Sequence, residues 1–112
     1  MIIIEKLDNN IDRVSFNSLE SLNSSVAEEI KSELGRLFDV PNARIVLDLE
    51  GIKYIDSSGF GCFLSTLRVA SNNYGKLKIC NIEPGVLSLF KTLQLHTIID
   101  LYEDLDSCLS SF

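Results

Sequence analysis

The spacing of apolar residues divides the 112-residue chain into alternating extended and helical segments. Ile2 to Lys6 and Ile11 to Ser18 read as two strands. The Asp8-Asn9-Asn10 turn between them uses residues that tolerate tight backbone geometry, so the N-terminus is predicted to be a hairpin. Val26, Ile30, Leu34, Leu37 and Phe38 then recur at helical intervals, with Glu29, Lys31, Ser32 and Arg36 between them. Ser25 and Glu28 have the spacing of a capping box, and Asn23 and Ser24 are alternative caps. This helix has to stop before Pro41, which pushes Val40 out of helical geometry. Arg44 to Leu49 is the next strand. Phe60, Phe63, Leu64, Leu67 and Ala70 or Ser71 form the apolar face of a second helix, ended by Asn72-Asn73-Tyr74-Gly75. Lys76 to Cys80 is a strand. Pro84 suits the first position of a third helix that turns Val86, Leu87, Phe90 and Leu93 inward. Ile98-Ile99 forms a short extended piece, and a last helix from Glu103 to Ser110 docks through Leu105, Cys108 and Leu109.

The order β-β-α-β-α-β-α-(β)-α predicts an α/β fold, here a single domain over residues 1–112, whose later strands are joined by right-handed crossovers. Strands covered on both faces read as unbroken apolar runs. Here Arg13, Ser15 and Asn17 interleave with Val14 and Phe16, Asp48 sits between Leu47 and Leu49, and Lys76 and Lys78 flank Leu77. The alternation predicts a mixed β-sheet with about four helices packed mainly on one face and the other face largely in water.

Charge and composition narrow the function. A formal net charge of −6 leaves no basic stripe to neutralise phosphates, which excludes nucleic acid as a partner. No apolar run approaches the ~20 residues of a membrane span. Met1-Ile2-Ile3-Ile4 lacks a basic flank and is ended by Glu5 and Lys6, so it is not read as a signal peptide. Cys62, Cys80 and Cys108 are widely spaced and odd in number, which points to a reducing, cytoplasmic setting and to packing roles. His96, the only histidine, has no cysteine or carboxylate at ligand spacing, so neither a metal nor a cofactor is expected. It is also the only base available to a serine hydrolase, and Ile55 stands where a nucleophile elbow needs glycine.

The stretch that carries chemistry is Asp56-Ser57-Ser58-Gly59-Phe60-Gly61, between the strand Ile45-Val46-Leu47-Asp48-Leu49 and the second helix. A strand-to-helix junction exposes unpaired backbone N–H groups, and a serine there caps the helix, receives a phosphate, or does both. Ser58 reads as the cap, with the helix starting near Ser58 or Gly59. Asp56 reads as an acceptor for backbone N–H groups, and Gly59 and Gly61 as positions of close backbone approach. By itself this turn is equally an ordinary capped helix start.

Taken with the elements around it, the turn resembles that of the STAS-domain family of bacterial anti-sigma factor antagonists. The resemblance runs from the N-terminal hairpin to the C-terminal helix and is most specific from Ile45 to Gly59. It implies an anti-sigma factor antagonist that is not an enzyme but a binding module switched by phosphorylation. The serine directly after the acid, Ser57, would be phosphorylated by a partner that is both anti-sigma factor and serine kinase, with a histidine-kinase-like ATPase fold. Dephosphorylated, the module would bind that partner and free its sigma factor; phosphorylated, it would release it, and a serine phosphatase would reset it. Asp56, Ser57, Ser58, Gly59, Phe60, Asn23 and Ser24 would form the partner surface. Two positions depart from the family pattern: Asn23 replaces a frequent acid, and Phe60 a common leucine. The alternatives are a STAS scaffold module in a larger signalling or transport assembly, and a receiver-like phosphoacceptor using Asp56. The latter would need further carboxylates for Mg²⁺, whereas Asp8 stands alone in its turn and Lys91 falls inside a predicted helix.

Overall fold

A computed structural model describes residues 2–112, leaving Met1 outside. β1 (Ile2–Lys6) and β2 (Ile11–Phe16) form the expected hairpin, joined by a 3₁₀ turn over Asp8–Asn10 in which Asn9 and Asn10 take positive φ. A short β3 (Ser21–Leu22) leads into α1 (Ser24–Leu37), which is followed by β4 (Arg44–Asp48). An equally short β5 (Tyr54–Ile55) leads into α2 (Ser57–Asn72). Then come β6 (Lys76–Cys80), α3 (Pro84–Thr92), a 3₁₀ turn at Leu95–Thr97, β7 (Asp100–Tyr102) and α4 (Leu105–Ser110). The five-stranded sheet has the order β1-β2-β4-β6-β7, with β1 antiparallel to β2 and the remaining pairs parallel.

The mixed sheet and the four helices are as the pattern predicts; several details differ. The last strand is Asp100–Tyr102 rather than Ile98-Ile99, because Ile98 and Ile99 close the preceding 3₁₀ turn through N–H bonds to Leu95 O. α2 ends with Tyr74, not Gly75, in the left-handed conformation (φ 59°). A Cβ on Gly75 would lie 2.7 Å from the Phe38 ring, so glycine is required there for space. Leu93 and Leu64 face solvent, and Leu87 is only half-buried. α3 is too short to bury more than one narrow stripe, Val86 and Phe90. α2 instead buries two adjoining stripes, including Cys62 and Thr66, because it packs against both the sheet and α1. The Phe90 ring meets Phe60 edge-on at 5.1 Å and stacks with Phe63 at 6.1 Å, fixing α3 to α2.

The main core lies between the sheet and the first three helices: Val14, Ile45, Leu47, Leu77 and Ile79 face Ile30, Leu34, Phe63 and Phe90. The second face is covered in part. α4 lies across it, with Cys108 against Ile11, Val46 and Cys80, and half-buried Leu105, Leu109 and Phe112 around them. Of the four charged residues that suggested a wet face, Asp48 is buried completely and Lys78 to 6% exposure, whereas Arg13 is half-buried and Lys76 exposed. Each of the two buried charges has partners. Asp48 accepts from Arg13 Nε (3.0 Å) and Nη2 (2.6 Å), from Asn81 Nδ2 (3.1 Å) and from the Glu50 backbone N–H (2.9 Å). Lys78 Nζ donates to the backbone carbonyl and hydroxyl oxygens of Ser111, both at 2.9 Å, and lies 4.7 Å from the centre of the Phe112 ring. Buried charges satisfied in this way replace the solvent the alternation seemed to require.

Candidate functional site

Two short strands place the candidate site. β3 and β5 pair in parallel, Ser21 with Tyr54 and Leu22 with Ile55, outside the main sheet. Each runs directly into a helix, so the N-termini of α1 and α2 emerge side by side. The Asp56 N–H donates to Leu22 O at 3.1 Å, tying one junction to the other. The capping residues occupy equivalent places. Asn23 Oδ1 accepts from the Ser25 N–H (3.0 Å), and Asp56 Oδ1 accepts from the N–H groups of Ser58 (2.9 Å) and Gly59 (3.1 Å). Asp56 therefore caps α2, where the sequence suggested Ser58, and Asn23 is the cap of α1 among the alternatives considered.

This arrangement fixes which residues of the turn reach solvent. Ser57 is the first residue of α2 and is exposed, and its hydroxyl makes no hydrogen bond among the described residues. Asp56 is exposed beside it, Ser58 is half-buried, and Asn23 and Ser24 stand on the neighbouring junction, half-buried and exposed respectively. Gly59 and Phe60 lie beneath this surface. A Cβ on Gly59 would sit 2.6 Å from Leu22 O and 2.7 Å from Ile55 Cγ2, so only glycine lets α2 approach the β3–β5 pair so closely. Phe60 is 6% exposed with its ring against Phe90, and it supports the turn from within. Gly61 needs no such approach: a Cβ there would meet nothing within 4 Å.

Between the two helix starts runs a groove of about 370 Å³, with Ser24 and Glu28 on one wall and Ser58, Gly61 and Ser65 on the other. Cys62 forms part of its lining, and burial pushes its thiol up to about 11, which favours the protonated form at neutral pH. Tyr54, in β5 just before the cap, is 68% exposed and adds an aromatic ring to this end of the molecule. The sequence reading missed Tyr54 and the β3–β5 pair, since two-residue strands have no measurable periodicity. A signal was present: Leu22-Asn23-Ser24-Ser25 and Ile55-Asp56-Ser57-Ser58 repeat one pattern of apolar residue, cap and two serines.

Other residues considered for chemistry lie apart from this surface. His96 is exposed in the 3₁₀ turn after α3, and Asp8 lies in the turn between β1 and β2. Among the described residues no group of three or more His, Cys, Asp or Glu side chains is placed to share a metal ion, and no helix is long and apolar enough to cross a membrane. With its carboxylate bound to the backbone of α2, Asp56 serves as a cap, and among the described residues it belongs to no group of three or more side chains placed to share a metal ion.

The family model described as STAS domain matches residues 3–108. A putative anti-sigma factor antagonist, BtrV of Bordetella bronchiseptica, is 28% identical over 91 residues, 81% of this chain and 78% of that protein. Two further curated relatives are matched over only about half of their own length. Among solved structures, an anti-sigma-factor antagonist (STAS) domain protein from Planctomyces limnophilus superposes with a TM-score of 0.88 at 17% identity, covering 98% of this chain and 96% of that one. The Bacillus cell fate determinant SpoIIAA in its phosphorylated form superposes with a TM-score of 0.70 at 16% identity, covering 100% of both chains.

Proposed function

Because the chain belongs to the STAS-domain family, we propose that it is an anti-sigma factor antagonist, a binding module whose hold on an anti-sigma factor is switched by phosphorylation of Ser57. The observation that carries this reading is the exposed position of Ser57 as the first residue of α2, on the rim formed by two adjacent helix starts. The partner is an anti-sigma factor that is also a serine kinase of histidine-kinase-like ATPase fold. The dephosphorylated module holds it and so frees the sigma factor, and a serine phosphatase reverses the modification.

A neutral hydroxyl enters a protein interface at little desolvation cost. Phosphorylation adds about −1.5 to −2 charges at that atom. A helix N-terminus offsets a phosphate by roughly 0.3–1 kcal/mol when exposed. Here Asp56 already occupies the N–H groups of Ser58 and Gly59 and sets a carboxylate beside the phosphate. The modified turn is tolerated in water and disfavoured against a partner, where the added charge is desolvated and unpaired. A penalty of about 3 kcal/mol changes affinity roughly a hundredfold, enough for a switch without a change of fold. Tyr54, Ser24 and the groove between α1 and α2 supply the remaining contact surface, with the exposed aromatic ring as its anchor.

The test is incubation with the cognate kinase and ATP, followed by peptide mass spectrometry and binding measurements. Phosphate is expected on Ser57, with Ser57→Ala binding constitutively and Ser57→Asp binding about a hundredfold more weakly. Phosphate on Asp56, or full binding by Ser57→Asp, refutes the switch.

A further inference from the structure

The three free cysteines occupy two different settings. Cys62 belongs to the core between the sheet and the first three helices, where its backbone carbonyl accepts from the Thr66 hydroxyl at 2.8 Å. Cys80, the last residue of β6, and Cys108, in the middle of α4, instead share the small cluster on the second face of the sheet, with Ile11 and Val46 beside them. Both are fully buried, and each thiol is the largest influence on the other's acidity. This holds Cys108 below the ordinary range of a thiol and pushes Cys80 above it, so Cys108 ionises first; Lys78 adds to the effect on Cys108.

From this juxtaposition we infer that Cys80 and Cys108 form an oxidation site, converted by hydrogen peroxide into a disulfide that fastens α4 to the centre of the sheet. α4, only six residues long, covers the pair together with Leu7, Tyr102 and Phe112, and a helix this short opens locally at little cost. During such an opening the Cys108 thiolate attacks one oxygen of the peroxide and the O–O bond breaks. Hydroxide leaves, takes up the proton that Cys108 has shed, and Cys108 becomes a sulfenic acid. Cys80 sulfur then attacks the Cys108 sulfur. The S–S bond forms, the S–O bond breaks, and hydroxide departs as water with the proton from Cys80. The two thiols give up two electrons in all, and one peroxide becomes two waters. The bond closes the chain between residues 80 and 108, a segment containing α3, β7 and the start of α4.

Peptide mapping of the intact chain under non-reducing conditions tests this, before and after hydrogen peroxide treatment. Expected are a Cys80–Cys108 cross-linked peptide lighter by two hydrogens, Cys62 still open to alkylation after unfolding, and full reversal by dithiothreitol. The oxidised chain is also expected to melt roughly 10 °C higher, since the closed segment is long. Cys62→Ala should leave the cross-link intact and Cys108→Ala should abolish it. If Cys108→Ala does not fold, the wild-type peptide map still decides. Cys80 and Cys108 both remaining alkylatable, oxidation of Cys62 in their place, or cross-links only between chains would each overturn the inference.

Discussion

Gly59 and Gly61 lie two residues apart in α2, and the structure predicts that the same substitution at each has opposite consequences. At Gly59 an added methyl would be 2.6 Å from the Leu22 carbonyl oxygen and 2.7 Å from Ile55 Cγ2. The oxygen is backbone, and it already accepts the Asp56 N–H that ties the two helix junctions together. It cannot swing away as a flexible side chain would, so α2 has to lift from the β3–β5 pair. Overpacking of this kind costs about 1–3 kcal/mol. At Gly61 the methyl meets nothing within 4 Å, and replacing a helical glycine by alanine gains roughly 0.5–1 kcal/mol. With about 4 °C per kcal/mol for a chain of this size, Gly59→Ala should lower the melting temperature by roughly 4–12 °C, whereas Gly61→Ala raises it by roughly 2–4 °C. Urea titrations of both variants beside the wild type separate the effects, and Gly59→Ala should also weaken partner binding because it moves the Ser57 rim. Equal stabilities for the two variants, or a stabilised Gly59→Ala, would refute the close approach on which the geometry of the site rests.

Asp56→Ala removes the cap that holds the Ser58 and Gly59 N–H groups and should cost about 0.5–2 kcal/mol in urea unfolding, whereas Asp56→Asn should retain most of the stability. Arg13→Met leaves the fully buried Asp48 carboxylate without its cation and should destabilise by about 3–5 kcal/mol. The double variant Arg13→Met/Asp48→Leu should recover part of that loss; a variant as stable as wild type after Arg13→Met alone would contradict the buried pair. Asp104 caps α4, and the hydrogen bond from the Ser107 backbone N–H holds its carboxyl below the ordinary value of 3.8. The stability it contributes is fully present above that value and is lost as pH falls through the lower folded-state value. Stability curves at acid pH should therefore fall less steeply for Asp104→Ala than for the wild type, and parallel curves would argue against the cap.

Much of this molecule could be read from its one-dimensional pattern because the deciding interactions are local. Helical spacing from Val26 to Phe38, the proline at position 84 and the hairpin turn at Asp8-Asn9-Asn10 each act through a few neighbouring residues. The Asp56-Ser57-Ser58-Gly59 junction likewise marked a helix start with an accessible hydroxyl. Tertiary structure decided what lies opposite each face. Alternation in β4 and β6 showed that the two faces of the sheet differ, but not that α4 would cover part of the second one and seal Asp48 and Lys78 inside. The same periodicity could not tell that Phe60 turns toward Phe90 while Ser57 and Tyr54 stay exposed. The β3–β5 pair was beyond reach for a related reason: two-residue strands carry no period, and the pairing joins residues more than thirty positions apart. Sequence settles contacts made along the chain; contacts made across it exist only once the whole fold has brought their partners together.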